Sequence, residues 1–297
     1  KYHFDKPIYK QYLYYLNDLS PLSLHYSKPI YPSYLSFPLG ENCIIALKYP
    51  YLRTSFYQKN ILVSHLIYNS ILNTLVLSIS AILFALLLGV PLGIIAALYK
   101  DKFLDKFISF FSILGMSLPS FLAAVLMGYI FAYKLNWLTN LNITGSLFVV
   151  NDTGLGQELS LKNLILPALT LGIRPIGVIV NLTRTALIDE LNADYVFLVR
   201  SKGYTMNYVV LRHVLKNSLS SIVTAASGWF AGMLSGAVFI EYIFGWNGLG
   251  KLLVDGLISM DFPLVMGVIL VIASCFIVIN ILVDLIYLWL DPRVEIN

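Results

Sequence analysis

Charged side chains are scarce in this 297-residue chain: Asp, Glu, Lys and Arg make up 12% of it, where ordinary soluble domains carry about 25%. Hydrophobic residues make up 58%, which together with the charge deficit argues against a soluble domain and for a membrane protein. The net charge of +4 is dispersed, with no basic stripe interleaved with aromatics, which excludes a nucleic-acid binder. Cysteine is almost missing: Cys43 lies in a polar head and Cys275 in an apolar run, which argues against a disulfide and more strongly against a metal pair. His3, His25, His65 and His213 keep no ligand-like spacing, so no metal site and no cofactor are expected. Arrangements of nucleophile and base, or of paired acids in apolar runs, are lacking too, so the chain is not expected to be an enzyme.

What is present is length of apolar run. From Leu66 to Leu98 there is no acidic or basic residue, and about 20 apolar residues cross a bilayer as a helix. Five candidate spans emerge between charges, at about 66–99, 107–133, 164–187, 218–240 and 264–290. Lysine and arginine orient them, because cytoplasmic loops hold the positive excess. Lys100, Lys102, Lys106, Arg200, Lys202, Arg212, Lys216 and Arg293 fall on one side, which is therefore inside. Lys134, Lys162 and Lys251 fall on the other. The alternation puts residues 1–65 outside; 66–290 form the membrane domain, 190–217 a cytoplasmic segment, and 291–297 a cytoplasmic tail.

Inside the spans, Gly228, Gly232 and Gly236 recur every four residues, as do Gly89 and Gly93, a spacing that lets helix backbones approach closely in lipid. Pro91, Pro119, Pro167 and Pro175 remove backbone donors and are expected to kink or break their helices. The stretch GWNGLGKL, from Gly245 to Leu252, nearly spells a phosphate-binding loop. It fails because Leu252 stands where a hydroxyl would meet Mg²⁺, no strand pattern precedes it, and the charge rule places it outside. Arg174, Arg184, Glu241 and Asp284 are ionisable groups in or near spans. Arg184 and Glu241 sit near enough to span ends to snorkel, and Asp284 is within two turns of Asp291. Only Arg174, between Gly172 and Pro175, is expected deep, either facing a pathway or paired structurally.

The segment from Glu190 to Asn217 is long, amphipathic and interrupted by the single glycine Gly203. Tyr195, Leu198 and Val199 form one apolar stripe, and Val209, Val210, Leu211 and Val214 a second. Two short helices with a turn at Gly203 are expected, docking into a groove of another protein or merely linking spans.

The stretch ADYVFLVRSKGYTMNYVVLRHVLKNSL resembles the cytoplasmic coupling motif of the dipeptide and oligopeptide permeases of ATP-binding-cassette importers. Asp194, Tyr195, Val196, Arg200, Lys202, Gly203, Leu211, Arg212, His213 and Asn217 match position by position. EYIFGWNGLGKLLVDGLISMDFPLVMGV and NILVDLIYLWLDPRV are similar to the family's last outer loop, last span and closing Asp-Pro-Arg; FDKPIYKQY and NTLVLSISAILFALLLGVPLGIIAAL also fit. Ser221 stands where the family usually has proline, Leu198 and Val199 where it has small residues, residues 22–49 look like an insertion in the head, and Arg174 has no counterpart. The resemblance implies an all-α polytopic membrane protein of the type I importer permease fold in the bacterial inner membrane. It also implies a second, usually non-identical permease subunit, two cytoplasmic ATPase subunits, an external solute-binding protein, and peptides or a related solute such as nickel as cargo. An ion-coupled secondary transporter is the alternative, and would need ionisable groups at mid-membrane and inverted repeats.

Members of the family begin with a further span, and the head from Lys1 to Asn60 is Tyr-rich with no apolar stretch to lead it across. An additional apolar segment entering from the cytoplasm is therefore expected before Lys1. Labelling of the head from the cytoplasmic side alone, or a native translation start at Lys1, would refute this topology.

Overall fold

The computed structural model describes residues 5–25, 35–38, 44–59, 61–150 and 156–290. In chain order it holds α1 (Ile8–Leu19), then β1 (Leu22–His25), β2 (Leu35–Pro38) and β3 (Ile44–Leu47), the long α2 (Val63–Leu98), α3 (Phe103–Ser117) and α4 (Ser120–Met127). A π-helical stretch (Gly128–Lys134) leads to α5 (Asn136–Thr139), the strands β4 (Phe148–Val150) and β5 (Gln157–Leu159), and α6 (Lys162–Leu191). Then come α7 (Asp194–Ser201), α8 (Met206–Val209), a second π-helical stretch (Val210–Val214), α9 (Leu215–Gly236), α10 (Val238–Ile243), α11 (Leu249–Ile258) and α12 (Phe262–Leu290). The chain divides into two compact units, one of residues 1–69 with 255–269 and one of 70–254 with 270–297.

In the first unit, β1, β3 and β2 form an antiparallel sheet in that order, with Leu22 opposite Leu47 and Leu35 opposite Leu47 on the other side. This sheet lies within the range that looked like an insertion. An Arg53–Asp18 ion pair at 2.9 Å ties the chain after the sheet to α1. Asp261, fully buried, ends the turn before α12. It accepts hydrogen bonds from the Ser55 hydroxyl, from the Phe56 amide at 3.1 Å and from the Leu264 amide at 3.3 Å. One carboxylate thus serves as helix cap and as anchor for the Ser55 turn.

Among the described residues three helices, α2, α6 and α12, are long and apolar enough to cross a membrane. The expected span at 107–133 falls on a broken pair: α3 and the helix from Ser120 to Lys134 are bent by 109° at the break between them. Leu118 takes extended backbone (ψ 127°), as a residue before proline does, and Pro119 has no N–H with which to continue the ladder. Pro91 in α2 and Pro167 and Pro175 in α6 lie inside unbroken helices. The fourth expected span, 218–240, holds a shorter apolar stretch, Ile222–Met233, within α9.

The core of the second unit gathers Leu77, Ala81 and Ala85 of α2, Leu166 and Ile179 of α6, Ile222 and Met233 of α9, and Phe244 and Trp246 beyond α10. The Trp246 indole N–H donates to the Asn73 carbonyl at 2.9 Å, so the largest buried ring is also satisfied. Arg184 of α6 does not reach for water as expected. Its Nε and Nη2 donate to the two carboxylate oxygens of Asp105 on α3 at 2.5 and 2.7 Å. Asp105 is buried, so the bidentate pair balances a charge that would otherwise stand alone among apolar helices.

The two glycine series separate. At Gly93 an added Cβ would stand 2.6 Å from Thr183 Cβ and 2.8 Å from the Val180 carbonyl, and at Gly89 2.8 Å from Ile179 Cγ2, so α2 and α6 touch backbone to backbone. At Gly228 and Gly232 a Cβ meets nothing within 4 Å. Gly93→Ala is therefore expected to lower stability by about 1–3 kcal/mol, although alanine is the better helix former. Gly228→Ala is expected to be neutral or stabilising in the isolated chain. Thermal unfolding in detergent compares them, and a Gly93→Ala chain as stable as its parent would deny the close approach.

Candidate functional site

The segment after α6 folds as two short helices around a glycine turn. Ala193, in extended backbone, opens α7, whose first turn carries Asp194 and last turn Arg200, each at the helix end whose dipole its charge complements. Lys202 closes it; the Gly203 amide donates to the Arg200 carbonyl at 2.9 Å, and Gly203 takes φ +86°. That left-handed conformation costs an L side chain about 1–2 kcal/mol and glycine nothing. Thr205, extended again, starts α8, which runs through the π-helical stretch into α9.

Burial explains which face turns inward. Val196, Val209, Val210 and Val214 pack on Ala97 of α2 and Leu187 of α6, with Tyr195 and Val199 partly buried beside them. The expected stripes need correction here: Val196 belongs to the buried face, whereas Leu198 (63% exposed) and Leu211 (64%) point outward. In α7 and α8, the ends of α2 and α6 occupy only the valine side, so neighbouring leucines are left for something else.

A polar clasp closes the segment's two ends. The Tyr195 hydroxyl donates to Glu190 Oε2 at 2.6 Å, and Asn217 Nδ2 donates to the same oxygen at 3.3 Å and to the tyrosine hydroxyl at 3.2 Å. Burial, with Glu190 beside it, pushes the Tyr195 phenol up to about 12, so it stays a donor. Of the residues singled out in the sequence, Tyr195 and Asn217 are thus brought together across 22 positions, through Glu190, which went unrecognised. The available signal was only that Glu190 opens the amphipathic segment. Asp194 and Arg200 line one hollow of about 530 Å³ between the end of α6 and α7. Arg200, Lys202, Leu211 and Arg212 are exposed with Phe197 and Leu198, and His213 packs edge-on against Tyr208 at 5.9 Å, itself stacked on Tyr204. The outward face is therefore apolar with a basic fringe. The closing Asp-Pro-Arg lies outside the described residues.

Arg174 stands apart from this segment. It lines a cavity of about 440 Å³ with Ser120, Thr170, Trp229, Met233 and Phe239, its guanidinium over the Trp229 ring at 5.9 Å. Glu241, expected to snorkel, is instead fully buried. Its carboxylate accepts the Thr74 hydroxyl at 2.7 Å and the amides of Gly250 and Lys251 at 2.7 and 3.2 Å. The glycine-rich loop does cradle an oxygen acceptor at a helix start, namely the carboxyl group of this side chain, while Lys251 Nζ donates to Asn247 Oδ1 at 2.8 Å. Asp284 on α12 is exposed in this chain.

Residues 89–296 match the family described as binding-protein-dependent transport system inner membrane component. The dipeptide transport system permease protein DppB of Alkalihalophilus pseudofirmus is 33% identical over 199 residues, covering 63% of this chain and 60% of that protein. The dipeptide transport system permease protein DppB of Haemophilus influenzae is 40% identical over 138 residues, 46% of this chain and 41% of that one. The chain thus spans less than two thirds of the length of either relative. Among solved structures, a chain of the inward-facing MetNI methionine ABC transporter superposes with TM-score 0.62 at 14% identity, covering 77% of this chain and 97% of that one. A chain of an amino acid ABC transporter with histidines gives 0.53 at 16% identity, over 75% and 94%. At such identities the likeness speaks to fold alone.

Because the loop amides already hold Glu241, Lys251→Ala is expected to leave nucleotide binding by the purified complex unchanged. Loss of ATP binding in that variant, measured by equilibrium dialysis, would restore the phosphate-loop reading.

Proposed function

Because the chain belongs to the family of binding-protein-dependent transport system inner membrane components, we propose that it is the permease subunit of an ATP-binding-cassette importer carrying peptides into the cytoplasm. The observation that carries this reading furthest is the clasped helix pair from Asp194 to Val214, folded on one face and open on the other. Two cytoplasmic ATPase subunits supply the work, a second permease subunit completes the pathway, and an external binding protein delivers cargo. Peptides are preferred to nickel because the relatives are named for dipeptides. The family assignment also favours an ATP-driven importer over an ion-coupled carrier.

The geometry supplies a lever. The valines of α7 and α8 are cemented to the ends of α2 and α6, and the clasp ties α6 to α9, so force on the outward face reaches three helices at once. A partner groove offering apolar pockets and acidic edges fits Phe197, Leu198 and Leu211 with Arg200, Lys202 and Arg212. The chain contributes differential binding between two conformations, not catalysis. Coupling is assigned to the Gly203 turn and its flanks: Asp194, Tyr195, Arg200, Lys202, Leu211, Arg212, His213 and Asn217.

A Cβ at Gly203 meets nothing within 4 Å in this chain, so substitution there tests contact more than folding. Gly203→Asp is expected to insert at normal abundance, yet to abolish uptake in proteoliposomes and release the ATPase on copurification, because a carboxylate in an acidic groove is desolvated and repelled. Gly203→Asn, which tolerates positive φ, separates backbone strain from loss of contact. Arg212→Glu is expected to act in the same direction more weakly, since an exposed pair is worth about 0–1 kcal/mol. Normal uptake by the Gly203→Asp protein would reduce the segment to a linker.

A further inference from the structure

Arg174 is the one charged residue between Asn163 and Thr183. At 1.5 Å of rise per residue it lies about 18 Å along α6 from Lys162 and about 26 Å from Leu191, midway along a helix apolar enough to span, with its side chain exposed in this chain. A charge so placed is costly unless something answers it. Within this chain little does: none of the described residues accepts a hydrogen bond from Arg174 or forms an ion pair with it. Its recorded contact is the face of Trp229. The Trp229 ring accepts no conventional hydrogen bond from the guanidinium, whose N–H edge is the fork that takes a carboxylate by two hydrogen bonds.

The surroundings fit the same ligand. At about 440 Å³ the cavity falls within the range of about 300–1,000 Å³ typical of small-molecule sites. Ser120 opens α4 at the cavity wall with no side-chain cap, so the positive end of a helix dipole stands there beside the arginine. Thr170, one turn before Arg174, contributes a hydroxyl, and Met233, Val238 and Phe239 make the rest of the wall apolar. A cation, a helix start and an apolar wall together describe a receptor for a small molecule with a carboxylate next to an apolar side chain.

Resting on the peptide-importer reading above, we infer that the Arg174 cavity is a transient subsite for the C-terminal carboxylate of the peptide in transit, with the apolar wall taking the terminal side chain. A short peptide has one such group at a fixed place whatever its sequence. Recognition through it combines selectivity for peptides with tolerance of their side chains.

The test uses the purified full complex, without binding protein, and radiolabelled Ala-Phe as free acid and as C-terminal amide. The free acid is expected to bind at least about tenfold more tightly than the amide. Arg174→Gln is expected to erase the difference while leaving the amide unchanged, and Arg174→Lys, which keeps the charge but loses the fork, to restore part of it. Absent binding of both peptides, or an acid preference that survives Arg174→Gln, overturns the subsite. So does loss of the second permease subunit from the Arg174→Gln complex with the preference intact, which would make Arg174 a structural partner. Uptake with binding protein and ATP separates the two levels: wild-type complex importing no peptide refutes the importer reading itself, whereas normal import with no role for Arg174 refutes the subsite alone.

Discussion

The backbone contact between α2 and α6 at Gly89 and Gly93 is the constraint from which the membrane domain is built. In lipid there is little hydrophobic gain from pressing two apolar helices together, so association depends on close packing and on polar groups that find each other. The two glycines allow the packing. The helix they position carries Arg174 at mid-length, Arg184 paired to Asp105, and Glu190 at the clasp. Were α2 and α6 held a side chain apart, Leu187 would lose its place against Ala97 and the valines of α7 and α8 their floor.

The division of labour along α6 follows from how each charge is answered. Arg184 meets a carboxylate of its own chain in bidentate geometry, and Glu190 gathers two donors from the segment that follows. Both are structural fasteners, and both fix where α6 stands relative to its neighbours. Arg174 has an aromatic face and open space instead. The contrast, more than burial, separates the residue assigned to cargo from those that hold the scaffold.

Much of the architecture was legible because the relevant signals are local. The charge-free run of α2, the glycine that must turn at φ +86°, and the break at Leu118–Pro119 each follow from a few neighbouring residues. Pro167 and Pro175 do not break α6: loss of one backbone donor was visible, while the packing that holds the helix continuous was not. The Arg184–Asp105 pair joins positions 79 apart, and no helical period announces it. Glu241 was misplaced because counting residues to a span end measures depth along the chain, whereas its burial comes from α10 and α11 closing on Thr74. The sheet of β1, β2 and β3 fell in a stretch known only by its mismatch to a pattern, and mismatch says nothing of what the residues do instead. In the segment from Glu190 to Asn217 the turn was foreseen and the buried face partly so. Val196 and Leu198 exchanged roles because two short helices offer too few turns for periodicity to fix a face.

The loop from Gly245 to Leu252 carries a lesson for reading genomes. A phosphate-binding signature is a string that reports exposed amides at a helix start, and it is silent about which anion they meet. Here the acceptor is a carboxyl group of the same polypeptide, four residues upstream of Gly245. A scan that scores glycines and a lysine would register a nucleotide enzyme. The discriminating feature is a buried acidic residue just ahead of the glycines, a self-supplied counterpart that marks such a string as occupied from within.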